Sequence, residues 1–241
     1  MSSPSDLEVK LDKLCRFLGS VRGTDKALMF AQYSSKILIW YLRKLDAKSA
    51  LAGRIANLAG PVSDFRILLR YYGLLPLVQW IIQSEKNPSP SPVIQTLTRL
   101  QNFVNVCYYP LEHVYWLALH NVIPMAEETR NKIGMWSCRF WAAYVVLYFY
   151  QLFEEKKALD QRRIEFKAAV ADGASQDVVK AERAAIRRQS QALLVNTIIN
   201  AAYFPLTIHW SLPASSFPDI GVGIFGTIAS IAQIYATWKA T

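Results

Sequence analysis

Glu112, His113 and His120 are the residues whose types and spacing first point to chemistry. A carboxylate beside an imidazole is an acid–base pair in kind, which makes an enzyme acting on lipids a rival reading. His113 and His120 are seven residues apart and share a helix face, as two metal ligands would. No third ligand stands at a suitable spacing, and the Trp116-Leu117 setting predicts buried, hydrogen-bonded histidines instead. A second candidate, Gly221-Val222-Gly223-Ile224-Phe225-Gly226, spells GxGxxG, but no strand pattern precedes it and no acidic residue follows about 20 positions on. It is therefore no dinucleotide fingerprint. Its surroundings put Gly223, Thr227 and Ser230 on one face of a helix, as helix pairing in lipid requires. The sequence has no GxSxG elbow, no GxxxxGKS/T loop and no HExxH. Cys15, Cys107 and Cys138 are odd in number and form no CxxC, which fits neither a disulfide framework nor a zinc site. No enzyme activity, cofactor or metal is expected.

The elements that carry these residues are strongly apolar. Of 241 residues, 52% are hydrophobic and 19% charged, against about 25% charged in an average soluble domain. Disorder is excluded, and a membrane is indicated. Lys and Arg number 27 and Asp and Glu 18, for a net charge of +9. Between Lys26 and Arg99 ten basic residues face only Asp46, Asp64 and Glu85, so this stretch alone carries +7. The aromatic residues cluster beside apolar runs rather than among the basic ones, which argues against nucleic acid as a partner. The opening MSSPSDLEVKLDKL mixes acids and bases before any apolar run, so neither a secretory signal nor a transit peptide is expected.

Periodicity predicts helices throughout. Leu7, Leu11, Leu14 and Leu18 mark a helix over 6–18 with Ser5 as its cap, and Arg22-Gly23-Thr24 are expected to break the chain before the next. Leu51, Ile55, Leu58, Val62, Phe65, Leu69 and Tyr72 then recur at alternating spacings of 4 and 3. Lys48, Arg54, Arg66 and Arg70 lie off that stripe, opposed by Asp64. A basic amphipathic helix of this kind lies on an anionic phospholipid membrane, its stripe among acyl chains and its cations among headgroups. The alternative is a stripe packed on neighbouring helices, with Gly60-Pro61 splitting it in two. Asn87 to Pro92 reads as an extended loop and a boundary. Leu97, Leu100, Val104, Cys107, Leu111 and Val114 mark a helix kinked at Pro110.

The expected organisation is a basic helical region over 1–134 at the membrane surface and a membrane region over 135–241. The latter would hold two spans, Met135 to Phe153 and Ile220 to Trp238, with Arg139 snorkelling from the first. Residues 154–191, with nine basic and seven acidic side chains, read as a solvated helical hairpin turning at Asp172 to Ser175. Residues 192–212, interrupted by Asn196, Asn200, Pro205 and His209, read as interfacial or re-entrant. The fold class is all-α: an integral membrane protein with amphipathic helices and about two transmembrane helices.

Five stretches resemble a known family. Arg22-Gly23-Thr24-Asp25-Lys26 with Tyr33, and Ser63-Asp64-Phe65-Arg66-Ile67-Leu68-Leu69-Arg70, resemble the opening of the peroxin eleven family of peroxisomal membrane proteins. Tyr108-Tyr109-Pro110-Leu111-Glu112-His113, with Trp116, is similar to its central motif, and Ile208-His209-Trp210-Ser211 and Gly226 to Trp238 resemble its end. The gamma-type, or C-type, branch is the nearest in character. The resemblance implies a non-enzymatic protein of the peroxisomal membrane that elongates and curves it through inserted amphipathic helices. It also implies self-association, as a homo-oligomer or with related members, and recruitment of the fission machinery, a tail-anchored adaptor and a dynamin-related GTPase. In such proteins the remodelling helix precedes the spans, and Ala47 to Tyr72 matches it here. A pore for small metabolites is the alternative, for which only Asn196, Asn200 and His209 offer polar linings.

Overall fold

Ser5 opens the first helix with a reciprocal cap: its hydroxyl accepts the Glu8 N–H, and the Glu8 carboxylate accepts the Ser5 N–H. The computed structural model describes residues 5–241, so the first four residues of the opening segment lie outside it. The chain is 86% helical, with no strand among the described residues. Helix α1 spans Asp6–Gly19 and α2 Val21–Leu45. The expected break at Arg22-Gly23-Thr24 does not occur. Ser20 caps α2 by accepting the Gly23 N–H at 3.0 Å, so the helix begins before the glycine. Gly23 is required by contact: a Cβ there would stand 2.0 Å from the carbonyl oxygen of Phe17.

Helix α3, Ala50–Tyr71, is capped by Ser49 and runs unbroken through Gly60-Pro61. Pro61 removes one backbone donor, a loss that 22 helical residues with tertiary partners tolerate. Helix α4, Leu74–Lys86, and helix α5, Pro92–Leu119, form a hairpin around the proline-rich loop. The loop is thus a turn within one unit rather than a boundary. The Gln95 amide donates to the Ser84 carbonyl oxygen, the Asn102 amide to the Ser84 hydroxyl, and Arg99 holds Glu85 through two bonds of 2.9 and 2.6 Å. Pro110 likewise sits inside a continuous α5.

Helix α6, Glu127–Ala171, is 45 residues and about 68 Å long at 1.5 Å per residue. It turns at Asp172 to Ser175, with Gly173 at φ +83°, into α7, Gln176–Ser211, and the last helix is α8, Asp219–Ala240. The charged hairpin over 154–191 is therefore the continuation of α6 and α7, held by the two-bond pair of Arg162 with Glu182. The helices long and apolar enough to cross a membrane are α7 and α8. Ile220 to Trp238 lies in α8 as expected. Met135 to Phe153 does not qualify, because Arg139, Gln151 and three tyrosines lower its hydropathy, and the interfacial reading of 192–212 gives way to a helix continuous through Pro205. Arg139 does not snorkel either. Its Nε donates to the Ser211 carbonyl oxygen at 3.2 Å, capping the end of α7.

Packing runs from α5 to α6, α6 to α7, α7 to α8, and from α8 back to α2. The division into 1–134 and 135–241 accordingly does not separate two units, since α2 from the first lies along α8 from the second. Their shared core is Met29 and Tyr33 of α2, Ala202 and Leu206 of α7, and Val222 and Ala229 of α8. Trp141 joins it from α6, stacked on Trp210 at 5.7 Å between centroids.

Candidate functional site

The three stretches singled out in the first half of the sequence converge. On α2, the Asp25 carboxylate accepts from Lys26 at 2.7 Å and from Arg66 Nε of α3 at 2.9 Å; Arg66 Nη1 also donates to Gln32 at 2.5 Å. One turn further along α3, Arg70 grips Glu112 of α5 through two parallel bonds, Nε to Oε2 at 2.6 Å and Nη2 to Oε1 at 2.7 Å. The Tyr108 hydroxyl donates to the same carboxylate at 2.7 Å. Tyr71 stacks on His113 at 3.7 Å, and its hydroxyl donates to the His113 carbonyl oxygen. At the far end Asp64 receives Trp116 Nε1 and faces His120 Nε2, both at 2.7 Å. Tyr109 borders Gly73, while Leu111 is half-buried and Pro110 exposed. The central motif is thus the α5 side of a seam with α3. Glu112 is an anchoring carboxylate there, and His113 and His120 face different α3 residues rather than a common metal.

Burial sets the electrostatics of the seam. Desolvation opposes ionisation of Asp25, but Lys26 and Arg66 outweigh it and hold its carboxyl below the usual range. Burial pushes Lys26 down, against the pull of Asp25. It also works against the charge of Arg70, but Tyr108 and Glu112 prevail and raise it. Burial pushes the Tyr108 hydroxyl well up, reinforced by Glu112. His113 is pushed down by burial, which exceeds the opposing effect of Glu112.

These contacts revise the expected roles along α3. Arg66 is only 7% exposed, and Arg70 is turned to Glu112, so neither lies outward at headgroup level. Lys48 and Arg54 do remain exposed, joined at the α2–α3 corner by Arg43 and Lys44. The apolar residues take the outer face instead. Leu51 is 54% exposed, Leu58 67%, Phe65 47% and Tyr72 68%, with Ile55, Val62 and Leu69 half-buried beside them. Helix α4 adds exposed Leu75, Val78, Trp80 and Ile82. Along the second half of α3 the arginines face inward and the apolar side chains outward, the reverse of a helix in a water-soluble bundle.

The small face of α8 is also used differently from expectation. Gly223 meets Lys36 and Ile37 of α2, Gly226 lies beneath Tyr33, and Ser230 is fully buried, its hydroxyl donating to the Thr227 carbonyl oxygen. A Cβ at Gly226 would fall 2.2 Å from the Tyr33 ring. Gly223 and Gly226 pack on α2 of the same chain, and Ser230 is buried on that side of α8 while Thr227 is half-buried.

Between α2, α3, α5, α6 and α7 lies a cavity of about 1410 Å³. Arg22, Asp25, Lys26, Arg66, Arg70 and Glu112 line it. Asn196, Asn200 and His209 are absent from its wall, and the Asn200 amide donates to the Asn196 carbonyl oxygen in its own helix. Asp25 is the seam residue that sequence reasoning missed. Its signal was its place in the first motif, beside Lys26, at a spacing that offered no i, i+4 partner.

A sequence profile described as peroxisomal biogenesis factor 11 (PEX11) matches residues 11–238. The chain is 24% identical to human peroxisomal membrane protein 11C over 241 residues, covering 95% of each chain. It is 23% identical to peroxisomal membrane protein 11C of Mus musculus over 228 residues, 92% of this chain and 91% of that one. It is also 26% identical to an uncharacterised protein of Schizosaccharomyces pombe over 191 residues, 79% of this chain and 78% of that one. No solved structure matches.

Proposed function

The chain belongs to the peroxisomal biogenesis factor 11 family, and from that premise we propose that it resides in the peroxisomal membrane and drives its elongation and proliferation by asymmetric insertion of the α3–α4 face. The observation that carries this is the outward stripe of Leu51, Leu58, Phe65 and Tyr72, set over an inward row of paired arginines. Water penalises such a face at about 25 cal/mol per Å² of apolar surface, and acyl chains remove the penalty. Helices α7 and α8 anchor the chain, while α3 and α4 lie in one leaflet and expand it. Arg43, Lys44, Lys48 and Arg54 hold the corner at anionic headgroups, at about 1 kcal/mol each. Self-association and recruitment of the fission machinery fall to surfaces other than the small face of α8.

The test replaces Leu51, Leu58 and Phe65 together by Ser in the full chain. The variant is expected to remain in the organelle membrane, resisting alkaline extraction, and to lose elongation of peroxisomes on overproduction. Undiminished elongation by a stably inserted variant overturns the reading. Charge reversal at Lys48 and Arg54 is the corresponding electrostatic test, because neither residue holds the seam together.

A further inference from the structure

The cavity differs in character from wall to wall. Helices α2, α3 and α5 contribute Arg22, Asp25, Lys26, Arg66, Arg70 and Glu112, with Tyr108 and Tyr109 beside them. The α3–α4 side contributes Leu69, Tyr72, Pro76, Leu77 and Trp80. Tyr72 and Trp80 also belong to the exposed apolar face, so this wall is continuous with the surface assigned to lipid. The charges on the polar wall do not balance. Glu112 is matched by Arg70, but Asp25 is shared between Lys26 and Arg66, which leaves one positive charge in excess. Arg22 adds another, with no ion pair among the described residues. Lys132 on the remaining wall is taken by Glu128.

Two unbalanced cations suit a phosphate, and the apolar wall leading outward suits acyl chains. Sites of about 300–1,000 Å³ take drug-sized ligands, so this volume accommodates a headgroup with the start of its chains. We propose that the cavity is a binding site for an anionic phospholipid, its phosphate at Arg22 and the Asp25–Lys26–Arg66 cluster and its chains passing Leu77 and Trp80. The downward push on Lys26 agrees with this, since a second anion would relieve a cation that burial disfavours. The site deepens the membrane reading but is tested apart from it, because binding is measured without any remodelling.

The full chain is purified in a neutral maltoside and titrated with phosphatidic acid carrying brominated acyl chains, which quench tryptophan on contact. Trp80, Trp141 and Trp210 line the cavity and report occupancy. Saturable quenching is expected, at least tenfold tighter than with brominated phosphatidylcholine. Glycerol phosphate should displace the lipid only weakly, since it lacks the chains. Arg22→Gln, at an exposed position outside the seam, should weaken phosphatidic acid binding about tenfold with unchanged thermal unfolding. Equal quenching by the two lipids, competition by glycerol phosphate at the affinity of the lipid, or undiminished binding by Arg22→Gln each overturns the proposal. Lys26→Gln supplies a second test from the buried side, read only where its circular dichroism matches the wild type.

Discussion

Breaking the Arg70–Glu112 bridge by Glu112→Leu should loosen α3 from α5 by a measurable amount. The carboxylate receives three charge-assisted or phenolic bonds of 2.6 to 2.7 Å, from Arg70 Nε and Nη2 and from the Tyr108 hydroxyl. The side chains are 27% exposed for Arg70 and 10% for Glu112. Removing one partner of a buried pair costs about 3–5 kcal/mol, and the partial exposure of Arg70 places this case near 3. At about 2–4 °C per kcal/mol for a chain of this size, the melting temperature should fall by about 6–12 °C. The double variant Arg70→Met with Glu112→Leu leaves no orphaned charge, only the Tyr108 hydroxyl, and should cost about 1 kcal/mol. Thermal unfolding in maltoside, followed by circular dichroism for wild type, both single variants and the double, completes the cycle. Single variants within about 0.5 kcal/mol of wild type, or a double variant equal to the sum of the singles, refute the seam as an energetic unit.

Two further outcomes follow from the same geometry. Gly226→Leu drives a side chain into the Tyr33 ring and should detach α8 from α2 while sparing the α3–α5 seam, seen as faster hydrogen exchange confined to those two helices. Burial holds the folded-state pKa of His113 below its usual value, with Glu112 pulling it up and Arg70 pushing it down. The unfolded chain therefore binds the proton more readily, so stability is complete above about pH 6.5 and lost as pH falls below it. The wild type should lose more melting temperature between pH 7.5 and 5.5 than His113→Phe, which keeps the stack on Tyr71 and removes the unpartnered Nε2.

Local signals in the sequence were legible where a single residue decides the outcome. Ser5 with the leucine repeat announced α1, the proline-rich run announced a loop between helices though not that it stays within one unit, and Asp172 to Ser175 announced the α6–α7 turn. The alternation of 4 and 3 from Leu51 to Tyr72 identified a helix with an apolar side, and Pro61 did not interrupt it because tertiary contacts hold both flanks. What periodicity leaves open is which side faces inward. Arg66 and Arg70 read as surface cations until Asp25 and Glu112, 41 and 42 residues away, appear as their partners. The small face of α8 read as an intermolecular surface for the same reason, since nothing in its spacing names Tyr33 and Ile37 as its neighbours. Asn196, Asn200 and Pro205 also set the α7 segment aside as a candidate span in favour of the aromatic-rich Met135 to Phe153 of α6, although α7 is the more apolar of the two over a membrane-spanning length.

The central claim, that the outer face of α3 lies among acyl chains, is tested most directly by the depth of spin labels in anionic liposomes. Labels are introduced singly by Leu58→Cys, Phe65→Cys and Arg54→Cys in a full chain whose Cys15, Cys107 and Cys138 are replaced by Ser. At Leu58 and Phe65 the label should be relaxed by oxygen and shielded from an aqueous nickel chelate, with the reverse at Arg54. Labels at Leu58 and Phe65 that the nickel chelate reaches as readily as the one at Arg54 contradict the account.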